Sequence, residues 1–475
     1  MEGNRMSGDV RIERDSMGEM EVPADALYGA STMRAVLNFP ISDLRFSRDF
    51  IRALGLIKQS AAKANMDMGF LDQKIGEAIV EAGEEVIDGK LDSHFVLDIF
   101  QTGSGTSTNT NANEVIANRA SQIMGGELGS RLVHPNDNVN LGQSSNDVIP
   151  TAIHVASLIA IKEQLEPALQ VLQKSLNNKS QEFWPIIKTG RTHLQDATPV
   201  RLGQEFLGFA GQIEQGLTRI ARIKDALSEV ALGGTAVGTG VNTHPEFSQR
   251  VCKIVSESAG INVVETSNHF QAQSTLDAAV EASGILRTIA TSLHKIANDI
   301  RFMACGPRAG IGEITLPEVQ PGSSIMPGKI NPVISESVIQ VVAQVYGNDA
   351  TVAVSGQGGY FELNTMMPVV AFNILQSISL LSSSANNFAV QCVDGIQSTT
   401  TGPEMVERGL MLGTALAPEI GYDKAADIAK TAAQEGSTIR EVAKLKTDLT
   451  DDKLSELLNP EEMTKPSLEV SGGGG

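Results

Sequence analysis

Four polar segments of the chain contain residue types that could bind an anion and move a proton. They are residues 102–108 (TGSGTST), 143–147 (QSSND), 190–196 (GRTHLQD) and 322–332 (GSSIMPGKINP). Hydroxyls and amides can donate hydrogen bonds to an anion, a lysine adds a full positive charge, and an imidazole carries a proton near neutral pH. Together, the four segments predict an anion site with its own proton carrier.

The first segment is rich in glycine and precedes a helix that we expect from about Asn109. Gly103 and Gly105 allow close approach of the backbone, and Ser104 and Thr106 supply hydroxyls. A glycine-rich loop before a helix is a ready anion site. Because it lacks the lysine of a Walker loop and a preceding strand, nucleotide binding is the less favoured alternative.

The second segment places Ser144, Ser145 and Asn146 at the N-terminus of a long helix whose first turn contains Pro150. Serine and asparagine are common there for structural reasons, because their side chains cap the free N–H groups. Capping needs only one such residue, so in a run of three the other side chains could contact a ligand. Both interpretations stay open for this segment alone.

The third segment contains His193 in a polar run between two long helices. An imidazole in such a run is suited to proton transfer. A lone histidine is more often structural than catalytic, so the segment by itself leaves both roles open.

The fourth segment begins with a loop, residues 321–328, whose prolines and glycines could let it act as a lid. Pro332 suits the first position of the apolar helix that follows, with Asn331 as its cap. This placement explains Asn331 but not Lys329, an ammonium held in a loop at the start of the helix. Glu336, inside the same helix, needs a partner because a carboxylate on an apolar element is costly to bury.

The overall charge is strongly negative, with 37 Lys and Arg against 56 Asp and Glu, for a net charge of −19. Nucleic acids and anionic membranes need clustered positive charge, so the sequence argues against both as partners. An anionic substrate would need positive potential supplied locally. Helix N-termini and Lys329 could supply it if the four segments converge.

Long helical periodicity predicts a mainly α fold built around a bundle of long helices. Apolar residues recur every three or four positions in residues 151–176, 206–220 and 289–300. Residues 333–344 are apolar on nearly every side, which predicts a helix buried all round and suggests that bundles of different subunits pack together. Sequence patterns typical of β-strands are short and lie near residues 11–14 and 261–265.

Domain boundaries are expected near Gln143 and Pro368, which gives three domains: residues 1–143, a central helical bundle at 144–368, and a small helical domain at 369–475.

The cysteines and the chain ends suggest a cytoplasmic protein. Cys252, Cys305 and Cys392 form no CxxC pair, so disulfides and a metal site are not expected. Residues 1–14 lack the apolar core of a signal peptide, and we find no run of about 18 apolar residues that would predict a membrane span. Gly472–Gly475 resembles a flexible tail.

The fourth segment resembles the signature GSSxMxxKxNP of the fumarase/aspartase superfamily, and the resemblance extends over nearly the whole chain. Residues 15–18 (DSMG) and 22–25 (VPAD) and the three other polar segments resemble the corresponding regions of that superfamily. Gly358, Gly359, residues 361–364 (FELN) and residues 420–426 (IGYDKAA) resemble its class II fumarases, the kind without a metal.

The resemblance implies a three-domain, mainly α subunit with a five-helix central bundle. Four subunits would combine their bundles into a twenty-helix core, and each active site would take residues from three chains. The implied reaction is the reversible hydration of fumarate to L-malate, a step of the tricarboxylic acid cycle, with no cofactor.

The resemblance also implies roles for individual residues. Ser323 matches the catalytic base, and Glu336 matches the carboxylate that pairs with the active-site histidine, His193. The positions that match contacts to substrate or water are Ser104, Thr106, Ser144, Ser145, Asn146, Thr192, His193, Lys329 and Asn331. A secondary dicarboxylate site is matched by Arg131, His134, Asn136 and Asp137. Leu194 departs from family members that carry a polar residue there.

Three alternatives remain at this stage. Aspartate ammonia-lyase is the nearest, because it shares the signature, although it tends to differ at the FELN and IGYDKAA positions. If the chain were a non-catalytic helical scaffold, we would expect substitutions among the loop residues. Ser323, Lys329 and His193 are all present, which argues against this alternative. A nucleotide-binding protein built on the first segment is the third.

Overall fold

The computed structural model of the chain describes residues 9–466 and is mainly helical, as predicted. The helices are α1 Ala30–Asn38, α2 Arg48–Asp67, α3 Gln73–Ile87, α4 Thr106–Ile123, α5 Ser145–Ala160, α6 Glu166–Glu182, α7 Leu202–Ala226, α8 Phe247–Ala259, α9 His269–Ser274, α10 Asp277–Met303, α11 Val333–Gly356, α12 Met367–Gln391, α13 Thr401–Val406, α14 Ala417–Ile420, α15 Tyr422–Glu435, α16 Ile439–Lys446 and α17 Asp451–Leu457. The predicted tail at Gly472–Gly475 and the first eight residues lie outside the described part.

The strands of the described residues form two-stranded sheets only. They pair as β1 Val10–Asp15 with β2 Gly18–Pro23, β3 Ile187–Thr192 with β4 Gln195–Arg201, β5 Glu229–Val230 with β6 Val264–Glu265, β7 Ile314–Thr315 with β10 Gln397–Ser398, and β8 Gly359–Tyr360 with β9 Leu363–Asn364. The β5–β6 pair is parallel and the others are antiparallel. The expected strands near 11–14 and 261–265 are present as β1 and β6.

The three periodic stretches lie in long helices. Residues 151–176 extend through α5 and α6, which one π-helical turn at Ile161–Leu165 joins into a helix of 38 residues, Ser145–Glu182. Residues 206–220 lie in α7 and residues 289–300 in α10. Most of their apolar residues are buried, because a spacing of three and four residues places them on one side of the helix; Val171 and Leu207, 40% and 50% exposed, lie outside that side.

The prediction that the helix at 333–344 is buried on every side is wrong for the single chain. Within residues 333–344, Val338 and Val342 are buried, but Gln340 and Ala343 are exposed. Further along α11, Tyr346 is 44% exposed and Val354 is 64% exposed. One side of this apolar helix therefore faces solvent in the isolated subunit. An apolar helix surface of this kind marks an interface more often than a solvated face.

The described chain separates into two compact units, each built from three segments. Of the described residues, unit 1 contains 9–167, 217–290 and 341–383, and unit 2 contains 168–216, 291–340 and 384–466. These segments are not consecutive along the chain, so the three sequential domains with boundaries near Gln143 and Pro368 stay a prediction.

Each unit has a core of its own. In unit 1, α2 packs closely on α3 because Gly55 has no Cβ. A Cβ at this position would lie 2.8 Å from Cγ1 of Val86. In unit 2, the C-terminal helices bury an apolar cluster that includes Leu416, Ile428 and Leu454.

Two described helices are long and apolar enough to span a membrane by length and composition alone. They are Ser145–Glu182 and Met367–Gly395, whose apolar windows have mean hydropathies of 1.2 and 1.3. We expected no such stretch, because neither is a continuous apolar run. The windows are 78% and 67% buried inside the protein, as in the core helices of a globular fold.

Candidate active site

The third polar segment is a β-hairpin, not the loop between helices that we expected. Strands β3 and β4 pair up to Thr192 and Gln195, which leaves His193 and Leu194 as the two-residue turn. Both turn residues have positive φ, 56° and 60°, the backbone that tight two-residue hairpin turns require. The turn projects the imidazole of His193 into solvent, and Leu194 beside it is 73% exposed.

A buried network of charges holds the strand that leads to His193. The ammonium of Lys188 lies 2.8 Å from Glu205 and 3.0 Å from Glu313, and the guanidinium of Arg191 lies 2.8 Å from the other oxygen of Glu313. Lys188 and Glu313 are almost completely buried. Burial raises the pKa of Glu205 above its ordinary value, against the effect of the Lys188 charge. Because paired buried charges are costly to separate, this network fixes β3 two residues before the histidine.

A cavity of about 520 Å³ lies beside this network in unit 2. Its lining includes Lys188 and Arg191 together with Leu194, Phe209 and Phe302. None of the predicted catalytic residues of the described chain lines it, so this cavity is not the candidate active site.

The signature segment forms a closed loop. The N–H of Gly322 donates to the carbonyl of Lys329 at 3.0 Å, and the side-chain amide of Asn331 donates to the carbonyl of Gly322 at 2.5 Å. A Cβ on Gly322 would lie 2.1 Å from the Lys329 oxygen, so only glycine permits this closure. The loop presents Lys329 on its exposed surface.

Ser323 lies inside this loop with its hydroxyl oxygen in a polarised environment. The oxygen accepts the N–H of Ile325 at 3.3 Å and the N–H of Met326 at 3.1 Å. Hydrogen bonds to the charged form of a group favour that form. The two donors therefore stabilise negative charge on the Ser323 oxygen.

The expected cap of the following helix is wrong by one residue. Helix α11 begins at Val333, so Pro332, and not Asn331, precedes it, and the Pro332 carbonyl accepts the N–H of Glu336 at 3.0 Å. Asn331 instead closes the loop at Gly322, and its side chain is thereby fixed at the edge of the signature segment.

The first and second segments come together in unit 1. Helix α4 begins at Thr106, three residues earlier than predicted, after Gly105 in the left-handed region with φ 70°. The hydroxyls of Ser104 and Thr106 lie 2.7 Å apart. A Cβ on Gly105 would lie 2.9 Å from Ile149 of α5, so the glycine lets the two helices approach.

The second segment forms the N-terminus of α5. Ser144 is the N-cap, in a capping box where its oxygen accepts the N–H of Asn146 and Asp147 accepts the N–H of Ser144. Capping thus explains Ser144, and the other two residues have separate contacts. The Ser145 hydroxyl accepts from the amide of Asn109 on α4 at 3.2 Å, and the Asn146 amide donates to the Ala236 carbonyl at 2.8 Å.

Two helix N-termini therefore adjoin in unit 1, surrounded by hydroxyl and amide groups. Each N-terminus carries partial positive charge and free N–H groups. Their convergence provides the local positive potential that an acidic chain needs to bind an anion.

The FELN segment leads into the residues behind the first loop. After β9, the N–H of Met367 donates to the Gly103 carbonyl at 3.0 Å, and a Cβ on Gly103 would lie 1.9 Å from the Thr365 oxygen. The residues that directly follow the FELN segment thus pack against the first loop at Gly103.

Three of the four residues of the predicted secondary site lie in one turn. The Nδ1 atom of His134 accepts the N–H groups of Asn136 at 3.3 Å and Asp137 at 3.1 Å. The Asp137 carboxylate lies 3.2 Å from the same nitrogen, and the two N–H bonds make His134 the cap of this turn. Arg131, with φ 57°, donates to the carbonyl of Arg14 instead of joining this turn.

The predicted pair of His193 and Glu336 is not formed within residues 9–466. Neither side chain has a hydrogen bond or an ion pair there, and Thr192 and Glu336 are exposed. The pair stays a prediction, for residues of different subunits.

Two supporting residues were not identified from the sequence. Asp147 is fully buried and accepts the N–H groups of Gly233 at 3.0 Å and Thr235 at 2.9 Å. Asp147 follows Ser144 by three residues, which is the spacing of a capping box, so the sequence could have indicated its role. Lys58, on the buried side of α2, contacts Gln143. The available signal was a charged residue four positions from both Leu54 and Ala62, on the apolar side of that helix.

Comparisons with known proteins show the family to which the chain belongs. The sequence profile described as lyase matches residues 18–347, and the one described as fumarase C C-terminus matches residues 412–465. Fumarate hydratase class II of Halobacterium salinarum is 55% identical over 97% of this chain and 98% of its own length. Mitochondrial fumarate hydratase of Homo sapiens is 50% identical over 96% of this chain and 90% of its own length.

Solved structures give the same result. A class II fumarase from Schistosoma mansoni has a TM-score of 0.93 and 37% identity, covering 96% of this chain and 99% of that one. The chain therefore belongs to the lyase family. Within that family, it is a member of the class II fumarate hydratases.

Proposed function

We propose that the chain catalyses the reversible hydration of fumarate to L-malate. One observation carries the proposal: the N-termini of α4 and α5 adjoin, with Ser104, Thr106, Ser145 and Asn146 around them. Such a site is suited to binding a carboxylate. The reaction is inferred from the similarity of the chain to fumarate hydratases.

In the direction of dehydration, Ser323 would remove a proton from C3 of malate. The electron pair left on C3 would be delocalised into the adjacent carboxylate as an aci-carboxylate. Lys329 and Asn331 would stabilise the resulting charge, which is usually the largest catalytic contribution. The C2 hydroxyl would then leave anti to the abstracted proton, as water.

Departure of the hydroxyl needs an acid, and His193 would supply the proton through a bound water. His193 lies in the two-residue turn of the hairpin and is exposed, which would leave it accessible to another subunit. Glu336 of another chain would orient it. Ser144, Ser145, Asn146 and Thr192 would hold the substrate and the water.

A homotetramer with active sites shared by three chains would bring these groups together. The exposed apolar side of α11 supports it, because subunit contact would bury Tyr346 and Val354. We expect sedimentation equilibrium to give four times the mass of one chain. A monomer that hydrates fumarate would contradict the shared site.

Hydration can be distinguished from ammonia addition by one assay. The ultraviolet absorbance of fumarate should fall in neutral buffer without ammonium, with malate as product. A strict requirement for ammonium would assign the chain to the aspartate ammonia-lyases, and no turnover under either condition would favour a scaffold.

Two further assignments belong to the proposal. The turn at His134, Asn136 and Asp137, with Arg131, would bind a second dicarboxylate. The protein would act in the cytoplasm, without a nucleic-acid or membrane partner, as its charge of −19 favours.

A further inference from the structure

Lys58 is a fully buried lysine beneath the second polar segment. It lies on α2 with 0% exposure, and its ammonium donates to the side-chain oxygens of Asn140 at 2.8 Å and Gln143 at 2.9 Å. Both partners are neutral amides, and the described residues place no carboxylate within ion-pair distance of it. A buried charge without an opposite charge is costly, so the surroundings of Lys58 must compensate for it.

The ammonium is only partly compensated by the protein. Burial lowers the pKa of Lys58 to about 7, and the charge of Asp147 opposes that effect. Asp147 is itself fully buried, and its carboxylate already accepts hydrogen bonds from the N–H groups of Ser144, Gly233 and Thr235. An anion bound nearby would therefore stabilise the charged form of Lys58, and the charge would in turn stabilise the anion.

Hydrogen bonds connect Lys58 to the predicted substrate contacts. The Asn140 oxygen that binds Lys58 also accepts from Asn109 at 3.2 Å, and the same amide of Asn109 donates to Ser145 at 3.2 Å. Gln143, the other partner of Lys58, directly precedes Ser144. Removal of the ammonium would leave the side-chain oxygen of Gln143 without its donor, at the base of the N-terminus of α5.

We propose that Lys58 is a positioning residue that supplies buried positive charge for the carboxylate bound at Ser145 and Asn146. The inference rests on the proposed function, because it takes the ligand to be a dicarboxylate. Lys58 acts through Asn140, Asn109 and Gln143, and does not touch the substrate. Its effect is therefore on binding, with little effect on the chemical step.

The test uses Lys58→Met, which keeps the length of the side chain but removes the charge. We expect the KM for malate and the Kd for succinate, an unreactive dicarboxylate, to rise about tenfold or more, equivalent to about 1.4 kcal/mol, because the variant removes a positive charge buried near the bound carboxylate. The kcat should change much less, and Lys58→Arg should recover part of the affinity.

Lys179→Met is the matched control. Lys179 is also buried, with its ammonium bonded to Glu182 and to the Ile396 carbonyl, and neither partner belongs to a predicted site segment. Its replacement should lower the melting temperature and leave the Kd for succinate unchanged. If Lys58→Met behaves in the same way, Lys58 is purely structural and the proposal is wrong.

Asn140→Asp tests the same charge in case Lys58→Met does not fold. The new carboxylate would lie beside the ammonium and neutralise it, while keeping a partner for Lys58. We expect weaker succinate binding in a folded protein, and unchanged binding would overturn the proposal. Calorimetric titration of succinate does not depend on turnover. It can therefore overturn this inference separately from the proposed function, which fails only if the wild-type protein does not hydrate fumarate.

Discussion

Replacement of Ser323 by alanine is expected to lower the kcat for malate dehydration at least about a hundredfold, the usual lower limit for removal of a general acid or base. A serine hydroxyl is a very weak acid, so it can serve as a base only where its surroundings stabilise the alkoxide. The N–H groups of Ile325 and Met326 already point at this oxygen. The substitution removes both the base and the acceptor of these bonds.

The fold should survive this change, because the signature loop is closed independently of Ser323. The bonds from Gly322 to Lys329 and from Asn331 to Gly322 remain in the variant. Steady-state kinetics and the Kd for succinate would be measured together. We expect a large loss of kcat with little change in succinate affinity.

Ser324→Ala is the matched control for this experiment. Ser324 is the neighbouring serine of the same loop, exposed and outside the proposed machinery. It should retain most of the wild-type turnover. Turnover near the wild-type value in Ser323→Ala would remove Ser323 from the role of base, and an equal loss in both variants would indicate a general disturbance of the loop.

The long helices were predictable from the sequence because their signal is local. In α10, for example, Ile289, Leu293, Ile296 and Ile300 recur at helical spacing, and all are buried. The β3–β4 hairpin was missed for an equally local reason. Two-residue turns with positive φ usually contain glycine or asparagine, whereas this turn is His193 and Leu194.

The candidate site was predictable in its parts and not in its assembly. Ser144 and Asn146 could be assigned to a helix N-terminus because capping is a short-range pattern. The contact between Asn109 and Ser145, by contrast, joins residues 36 positions apart, and Lys58 meets its partners 82 and 85 positions along the chain. Such contacts depend on the packing of α2, α4 and α5, which hydrophobic periodicity does not specify.

Replacement of His193 by asparagine is expected to reduce kcat to an extent similar to Ser323→Ala or slightly less, about a hundredfold. Asparagine is a clean replacement here because it tolerates the positive φ of the turn, 56°, so the hairpin is retained. The pH–rate profile should lose the dependence that an acid–base group imposes on the reaction. An unchanged profile would count against an acid–base role.

Leu194→Asn is the matched control, since it occupies the other positive-φ position of the same turn and is 73% exposed. It should retain most of the activity, which would attribute the loss in His193→Asn to the imidazole and not to the turn. A comparable loss in Leu194→Asn would assign the effect to the geometry of the hairpin.

The two inactive variants can also test whether active sites are shared between chains. If His193 and Ser323 of one site come from different subunits, mixed tetramers of His193→Asn and Ser323→Ala contain some sites with both residues intact. Unfolding and refolding the two variants together should then restore part of the activity that neither has alone. The absence of recovery in a properly assembled mixture would mean that each site draws both residues from one chain. The exposed hairpin, with no partner for His193 within residues 9–466, favours recovery.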